Sequence, residues 1–144
     1  MQLPSNPTGK FVPNLTIITI HLDDPDGLYK TFESLGSVVR SENVEWIFVD
    51  GGSERQGSDV LDAVESLADV FVSEPDEGIY DAMNKGIDRS SGEIVVFLNS
   101  ADRLTSPETL GIVDRGQRDE GWSWAIGTRH VVTLDRRVID AMLK

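Results

Sequence analysis

Short apolar runs rich in β-branched residues alternate with segments of helical periodicity over the first hundred residues of this chain. Four of these runs predict buried strands, and they lie at residues 15–20, 46–49, 70–72 and 94–98. Continuous apolar strands separated by helices are typical of a mostly parallel sheet with helices on both faces. The sequence therefore predicts an α/β fold.

The segments between and after these strands predict the helices. They are expected over residues 26–36, from Ser58 onward and over about 78–88, and Ser106 with Pro107 predicts the start of one more that ends near Arg118. The strand-like residues 122–126 and 130–134 then predict a β-ribbon. We expect a single domain over residues 15–144, preceded by a flexible leader, residues 1–14, which contains three prolines.

Charge and cysteine content restrict the function. The formal net charge of −12 argues against binding to nucleic acid or to anionic lipid. The absence of cysteine excludes disulfides and thiolate metal sites and agrees with a reducing compartment. No segment reaches the roughly 20 apolar residues of a membrane span. We expect a cytoplasmic protein. Any attachment to the inner membrane would be peripheral and made through partners.

Acidic residues follow every predicted strand, and they are Asp23 and Asp24, Asp50, Glu74 and Asp76, and Asp102. Right-handed crossovers bring the carboxyl ends of parallel strands to one edge, so we expect these acids to lie close together. Clustered carboxylates repel one another unless a cation lies among them, and Mg²⁺ or Mn²⁺ commonly bridges carboxylates to substrate phosphates. The alternative leaves them as surface acids, or as helix caps at Asp24 and Asp76.

The helix predicted over residues 78–88 has an apolar stripe that we expect to face the sheet, formed by Ile79, Ala82, Met83, Gly86 and Ile87. Glycine in a helix costs about 1 kcal/mol relative to alanine, so Gly86 predicts close packing. Asp81 and Lys85 are spaced for an ion pair. The glycines after Asp50 would let the backbone approach a ligand, or they form an ordinary turn.

Five segments together resemble the family 2 glycosyltransferases, which have the GT-A (Rossmann-like) fold, and especially bacterial enzymes of capsule, exopolysaccharide and glycolipid assembly. The segments are residues 15–20, 27–35, 45–53, 74–87 and 92–102, of which 74–87 is the most specific. The resemblance implies inverting, metal-assisted transfer of a sugar from a UDP-, GDP- or dTDP-sugar to a hydroxyl of a carbohydrate or lipid-linked acceptor. It also implies a nucleotide-sugar-binding domain that is short for the family.

The same resemblance implies roles for individual residues. Thr19 and Asp50 would lie at the nucleotide base, and Asp76 beside the donor nucleotide. The candidate nucleotide-sugar-binding residues are Thr19, His21, Asp50, Gly51, Asp76, Gly78, Asp81, Asn84, Asn99 and Ser100, and the candidate ligand of Mn²⁺ or Mg²⁺ is Asp102. The family usually has a further acid where Ala101 stands, so we expect weakened metal affinity.

Several alternatives stay open. The family's catalytic base belongs to a later, acceptor-binding part, and the sequence ends at Lys144, so no catalytic residue is assigned. The chain is therefore either a glycosyltransferase or a catalytically impaired or truncated nucleotide-sugar-binding module that acts through a partner. A response-regulator-like phosphoacceptor domain, with Asp23 and Asp24 as its acidic pair, leaves residues 74–87 unexplained. A homodimer is also open, since no sequence feature decides it.

Overall fold

A computed structural model describes residues 13–55 and 58–127, together with two short strands at 130–132 and 138–140. Residues 1–12 of the predicted leader lie outside the described residues. The chain divides into two compact units, residues 1–114 and residues 115–144. The expectation that residues 15–144 form a single domain stays a prediction.

The first unit has an α/β fold, in which the strands of one sheet alternate with helices along the chain. Its strands and helices are β1 (Leu15–His21), α1 (Pro25–Leu35), a 3₁₀ turn (Val38–Arg40), β2 (Val44–Asp50), α2 (Asp59–Leu67), β3 (Val70–Ser73), α3 (Ile79–Ile87), β4 (Ile94–Phe97) and α4 (Glu108–Glu120), the last of which continues into the second unit. The strands are parallel in the order β3-β2-β1-β4. The four predicted strands and the α/β fold are confirmed.

Alternation along β1 and β2 separates two cores, one on each face of the sheet. On one face Ile17 and Trp46 pack with buried leucines of α1, α2 and α4. On the other face Ile18 and Ile47 pack with Ala82 of α3. Successive side chains of a strand point to opposite faces, and helices cover both faces of this sheet. Every residue of β1 and the last five residues of β2 are therefore buried.

Helix α3 rests on the sheet through its two smallest residues, Ala82 and Gly86, which are buried. A Cβ atom on Gly86 would lie 2.5 Å from Cγ2 of Ile18, so the predicted close packing is confirmed. The predicted apolar stripe is wrong at its ends, since Ile79 and Ile87 are 52% and 44% exposed. Ile87 follows Gly86 by one residue and therefore lies about 100° around the helix from the contact line.

In the second unit, β5 (His130–Val132) and β6 (Val138–Asp140) pair antiparallel, with His130 opposite Asp140. The predicted β-ribbon is confirmed, but its predicted first strand over residues 122–126 is wrong. Trp124 and Ile126 are 80% and 76% exposed and lie outside any strand. Residues 138–140 provide the partner strand instead.

Among the helices in the described part of the chain, none combines the length and the apolar character that crossing a bilayer requires.

Candidate functional site at the carboxyl edge of the sheet

The carboxyl ends of all four parallel strands lie at one edge, as the sequence predicted. The chain passes outward from β1 through β2 to β3 and then returns to place β4 on the other side of β1. In open α/β sheets, this reversal of strand order leaves a crevice at the carboxyl edge where ligands bind. The loops that follow the strands therefore form the candidate functional site.

The ends of β1 and β4 are joined by His21 and Ser100. His21 is buried, and its Nδ1 lies 2.8 Å from Oγ of Ser100. Burial lowers the pKa of His21 below 6.5, and the carboxylates of Asp50, Asp24 and Asp23 oppose part of that shift. The two residues predicted to bind the nucleotide sugar thus contact each other across the strand ends.

The turn after β4, residues 99–102, is held in place by hydrogen bonds with β1 and with α1. The Ser100 amide donates to a backbone carbonyl of β1 at 3.0 Å, and the Thr31 hydroxyl of α1 donates to the carbonyl of Asn99 at 3.3 Å. Ala101 has a φ of 74°, a left-handed conformation that L-residues other than Asn and Asp rarely adopt. The turn is therefore well anchored at its start and strained at Ala101.

Asp50 ends β2 with no exposed surface, and its carboxylate is fully engaged by protein donors. It accepts hydrogen bonds from the Ser53 hydroxyl at 2.5 Å, the Ser53 amide at 3.1 Å and the Ser73 hydroxyl at 2.7 Å. A buried carboxylate requires such partners. Asp50 therefore ties the turn after β2 to the end of β3. The sequence reasoning missed both serines, although each is a hydroxyl residue next to a strand end.

Asp76 lies over the turn after β2. Its Oδ1 accepts a hydrogen bond from the Gly78 amide at 2.9 Å. A Cβ atom on Gly51 would lie 2.6 Å from Asp76 Oδ2, so only glycine permits this approach. Gly78 is the N-cap of α3 with a φ of 119°. Asp76 therefore orders the approach to α3. The alternative in which Asp76 is the cap of this helix does not hold, because the N-cap is Gly78.

Lys85 connects α3 to the residues that precede it. Its Nζ lies 3.2 Å from Asp81 Oδ2, which confirms the predicted ion pair, and also 3.1 Å from Glu74 Oε1. The hydrogen bond with Glu74 raises the pKa of Lys85, and the one with Asp81 adds to it. The pKa of Asp81 is lowered mainly by the hydrogen bond from the Glu77 amide, and the hydrogen bond from Lys85 lowers it further. The remaining predicted residue of α3, Asn84, is exposed.

Two predicted acids and one predicted threonine have other partners. Thr19 has no exposed surface, and its hydroxyl accepts a hydrogen bond from the Trp46 indole at 3.1 Å, so its side chain belongs to the core. Asp24 caps α1 by accepting from the Gly27 amide at 2.9 Å. Asp23 accepts from a backbone amide of the turn after β2 at 3.0 Å. The acidic pair that a phosphoacceptor domain requires is thus occupied by backbone donors.

Asp102 differs from Asp50 and Asp76, whose carboxylates accept hydrogen bonds from the protein. Its side chain is exposed, and within the described ranges its carboxylate makes no hydrogen bond or ion pair. The described residues contain no cluster of three or more His, Cys, Asp or Glu suited to a metal ion, and Asn99 Oδ1 is buried without a partner there. A divalent cation at this turn would therefore have to take most of its ligands from phosphate and water.

The sheet order, the helices on both faces and the acidic carboxyl edge define a GT-A-like α/β protein, and solved structures share this fold. S. aureus TarS 1–349 aligns with a TM-score of 0.62 and 17% identity over 75% of this chain and 33% of that chain. The mannosyltransferase PcManGT from Pyrobaculum calidifontis, solved in complex with GDP-Man and Mn²⁺, aligns with a TM-score of 0.57 and 21% identity over 71% of this chain and 32% of that chain.

The sequence comparisons identify the family. The family model described as glycosyl transferase family 2 matches residues 16–138, and this chain belongs to that family, as the resemblance predicted. An uncharacterized glycosyltransferase of Mycobacterium tuberculosis is 37% identical over 130 residues, 86% of this chain and 48% of that protein. A PGL/p-HBAD biosynthesis glycosyltransferase of Mycobacterium bovis is 33% identical over 84 residues, 55% of this chain and 33% of that protein. The chain thus spans about half the length of the M. tuberculosis relative.

Proposed function

We propose that this chain is the nucleotide-sugar-binding part of a glycosyltransferase that transfers a sugar from a nucleotide diphosphate sugar to an acceptor hydroxyl, with inversion. Membership of glycosyl transferase family 2 supports sugar transfer in general. The observation that carries the proposal is a series of contacts that links all four strand ends. His21 contacts Ser100, the Gly51 amide donates to the His21 carbonyl at 2.9 Å, and the Glu74 amide donates to the Asp50 carbonyl at 3.0 Å.

The donor nucleoside is assigned to the turn after β2 and the start of α3. The proposed contacts are the Gly51 backbone and the Asp76 carboxylate that lies over it. Nothing lies within 4 Å of a Cβ atom built on Gly78, so a ligand can approach the backbone closely at that residue. Asp50 acts there indirectly, since its carboxylate is occupied by two serines and shapes the turn. Thr19 is left out of the proposed contacts because its hydroxyl is buried against Trp46.

The diphosphate is assigned to the turn of residues 99–102. Asp102 would hold Mn²⁺ or Mg²⁺ together with phosphate oxygens, and the cation would stabilise the charge of the leaving diphosphate. The mannosyltransferase of similar fold was solved with GDP-Man and Mn²⁺, which supports a nucleotide-sugar donor and a divalent cation in general. Ala101 leaves a single free carboxylate here, so we expect weaker metal binding than a site with two acids would give.

The acceptor is proposed to be a carbohydrate or a lipid-linked molecule, which agrees with the PGL/p-HBAD biosynthesis named for the M. bovis relative. We propose a cytoplasmic location for the reaction, with any attachment to the inner membrane made by partners. No catalytic base is assigned. A nucleotide-sugar-binding module without catalysis is the second candidate, favoured by the presence of only one acid, Asp102, in the turn of residues 99–102.

Thermal-shift measurements with UDP, GDP and dTDP, each with and without Mn²⁺, test the donor site. A bound nucleotide at 100 times its Kd stabilises a protein by about 2.7 kcal/mol, which raises the Tm by several degrees. We expect such a rise for one of the three nucleotides, larger when Mn²⁺ is present. Asp102→Ala should abolish the metal-dependent part and keep the rest, whereas Asp62→Ala, an exposed aspartate of α2, should behave as the wild type.

The same experiment contains the outcome that overturns the proposal. If none of the three nucleotides shifts the Tm with or without Mn²⁺, the carboxyl edge is not a donor site. A transfer assay with a panel of sugar acceptors then separates the two candidates. Repeated turnover supports the enzyme, and nucleotide binding without transfer supports the binding module.

A further inference from the structure

The ammonium group of Lys85 lies at the centre of a cluster of oxygen atoms. Its Nζ lies 3.1 Å from Glu74 Oε1, 3.2 Å from Asp81 Oδ2 and 3.1 Å from the carbonyl oxygen of Pro75. A lysine has three N–H donors, so these three acceptors satisfy it completely. Only 20% of its side chain is exposed. Two of the three acceptors belong to residues 74–78, here called the 74–78 loop, and the third belongs to α3.

The 74–78 loop has few other restraints. At its start the Glu74 amide donates to the Asp50 carbonyl, and near its end the Glu77 amide donates to Asp81 Oδ2 at 3.0 Å. Asp81 therefore accepts from both Lys85 and the loop. Without Lys85, the carboxylates of Glu74 and Asp81 would repel each other, because like charges this close destabilise one another.

We propose that Lys85 is a positioning residue for donor binding: its ammonium group fixes the 74–78 loop against α3 and so holds the Asp76 carboxylate over the Gly51 backbone. The inference rests on the proposed function, in which Asp76 and Gly51 contact the donor nucleoside. Surface ion pairs contribute little to stability. We therefore expect Lys85 to restrict the motion of the 74–78 loop, with little effect on the stability of the folded domain.

Lys85→Met tests this role, with Lys30→Met as the matched control. Lys30 is an exposed lysine of α1, so its substitution removes the same charge without touching the loop. Two quantities are measured: amide hydrogen exchange at Glu77 and Gly78 by NMR without ligand, and the Kd of UDP, GDP and dTDP with Mn²⁺ by calorimetry. In Lys85→Met we expect faster exchange and a nucleotide Kd weakened about tenfold, the scale for losing a residue that orients a ligand-binding group.

Lys85→Arg keeps the charge and should restore most of the amide protection and affinity. Wild-type protection and affinity in Lys85→Met would overturn the inference. If Lys85→Met fails to fold, Glu74→Ala removes one of the three contacts and should show a smaller loss in the same two quantities. If the wild type binds none of the nucleotides, the proposed function fails, whereas the exchange rates still show whether Lys85 orders the loop.

Discussion

The acids that follow β2 and β3 differ from the acid that follows β4. Asp50 and Asp76 accept hydrogen bonds from protein donors, whereas the Asp102 carboxylate has no such bond within the residues that the structure describes. The first two shape the carboxyl edge of the sheet, and the third is left available to a ligand. An acid at a strand end can therefore have either role, and its hydrogen-bond partners decide between them.

The turns after β2 and β3 form one region, and the turn after β4 forms the second. The two regions also differ in backbone conformation. The turns around Asp50 and Asp76 place glycine where φ is positive, at Gly52 with 91° and at Gly78 with 119°. The turn after β4 places Ala101 at 74° instead. The first region is relaxed and held by its own side chains, whereas the second is strained and held by its neighbours.

The largest expected effect is a difference in the free energy of unfolding between Asp50→Ala and Asp102→Ala. Asp50→Ala leaves two serine hydroxyls and one amide without their buried acceptor, and we expect a loss of about 3 kcal/mol in the free energy of unfolding. Asp102→Ala removes an exposed carboxylate that has no partner among the described residues, so its effect should stay within about 0.5 kcal/mol. Urea unfolding followed by circular dichroism measures both.

Asp50→Asn serves as the control, since the amide keeps one acceptor oxygen for the serines and should lose less stability than Asp50→Ala. Similar losses for Asp50→Ala and Asp102→Ala would show that the hydrogen bonds of Asp50 have little energetic weight. The contrast between the two regions would then be one of geometry alone.

The fold could be predicted well because its signals are local. Each strand is a continuous apolar run such as residues 94–97, and Ser58 and Asp24 cap helices as their side chains allow. The position of Gly86 in its helix also predicted the close contact between α3 and the sheet. The strand predicted over residues 122–126 was wrong, because strand patterning does not specify which segment becomes the partner, and residues 138–140 take that place.

The candidate site could be predicted only in outline. The sequence places acids at the strand ends, and the parallel sheet brings them to one edge. It does not show which carboxylates are occupied, because the partners come from elsewhere in the chain, as with Ser73 and Asp50. The position of Thr19 depends likewise on Trp46, which lies on another strand. The functional roles of the predicted residues stay predictions.

A smaller effect is expected at Ala101, the strained position of the second region. An L-residue in the left-handed conformation costs roughly 1–2 kcal/mol, part of which glycine returns through the greater entropy of the unfolded chain. We expect Ala101→Gly to raise the free energy of unfolding by about 0.5 kcal/mol. Ala125→Gly is the control, since Ala125 lies in an exposed irregular segment without a positive φ. It should lower stability slightly, and equal changes at both sites would mean that Ala101 is not strained.

The smallest effect concerns pH and the buried histidine that joins the two regions. Because burial lowers the pKa of His21 below 6.5, the unfolded chain binds a proton more readily than the folded protein does. Stability from this group is therefore complete above pH 6.5, decreases as the pH falls and levels off below the folded pKa. Asp50, Asp24 and Asp23 favour the protonated ring and limit the decrease.

Tm values measured between about pH 5 and pH 8, above the range where most carboxylates titrate, isolate this dependence. His21→Gln should flatten the decrease below pH 6.5. Parallel curves for the wild type and His21→Gln would show that His21 has the same pKa in the folded and unfolded chain. A flattened curve would show that the folded protein lowers the pKa of His21, as burial of the ring beside Ser100 predicts.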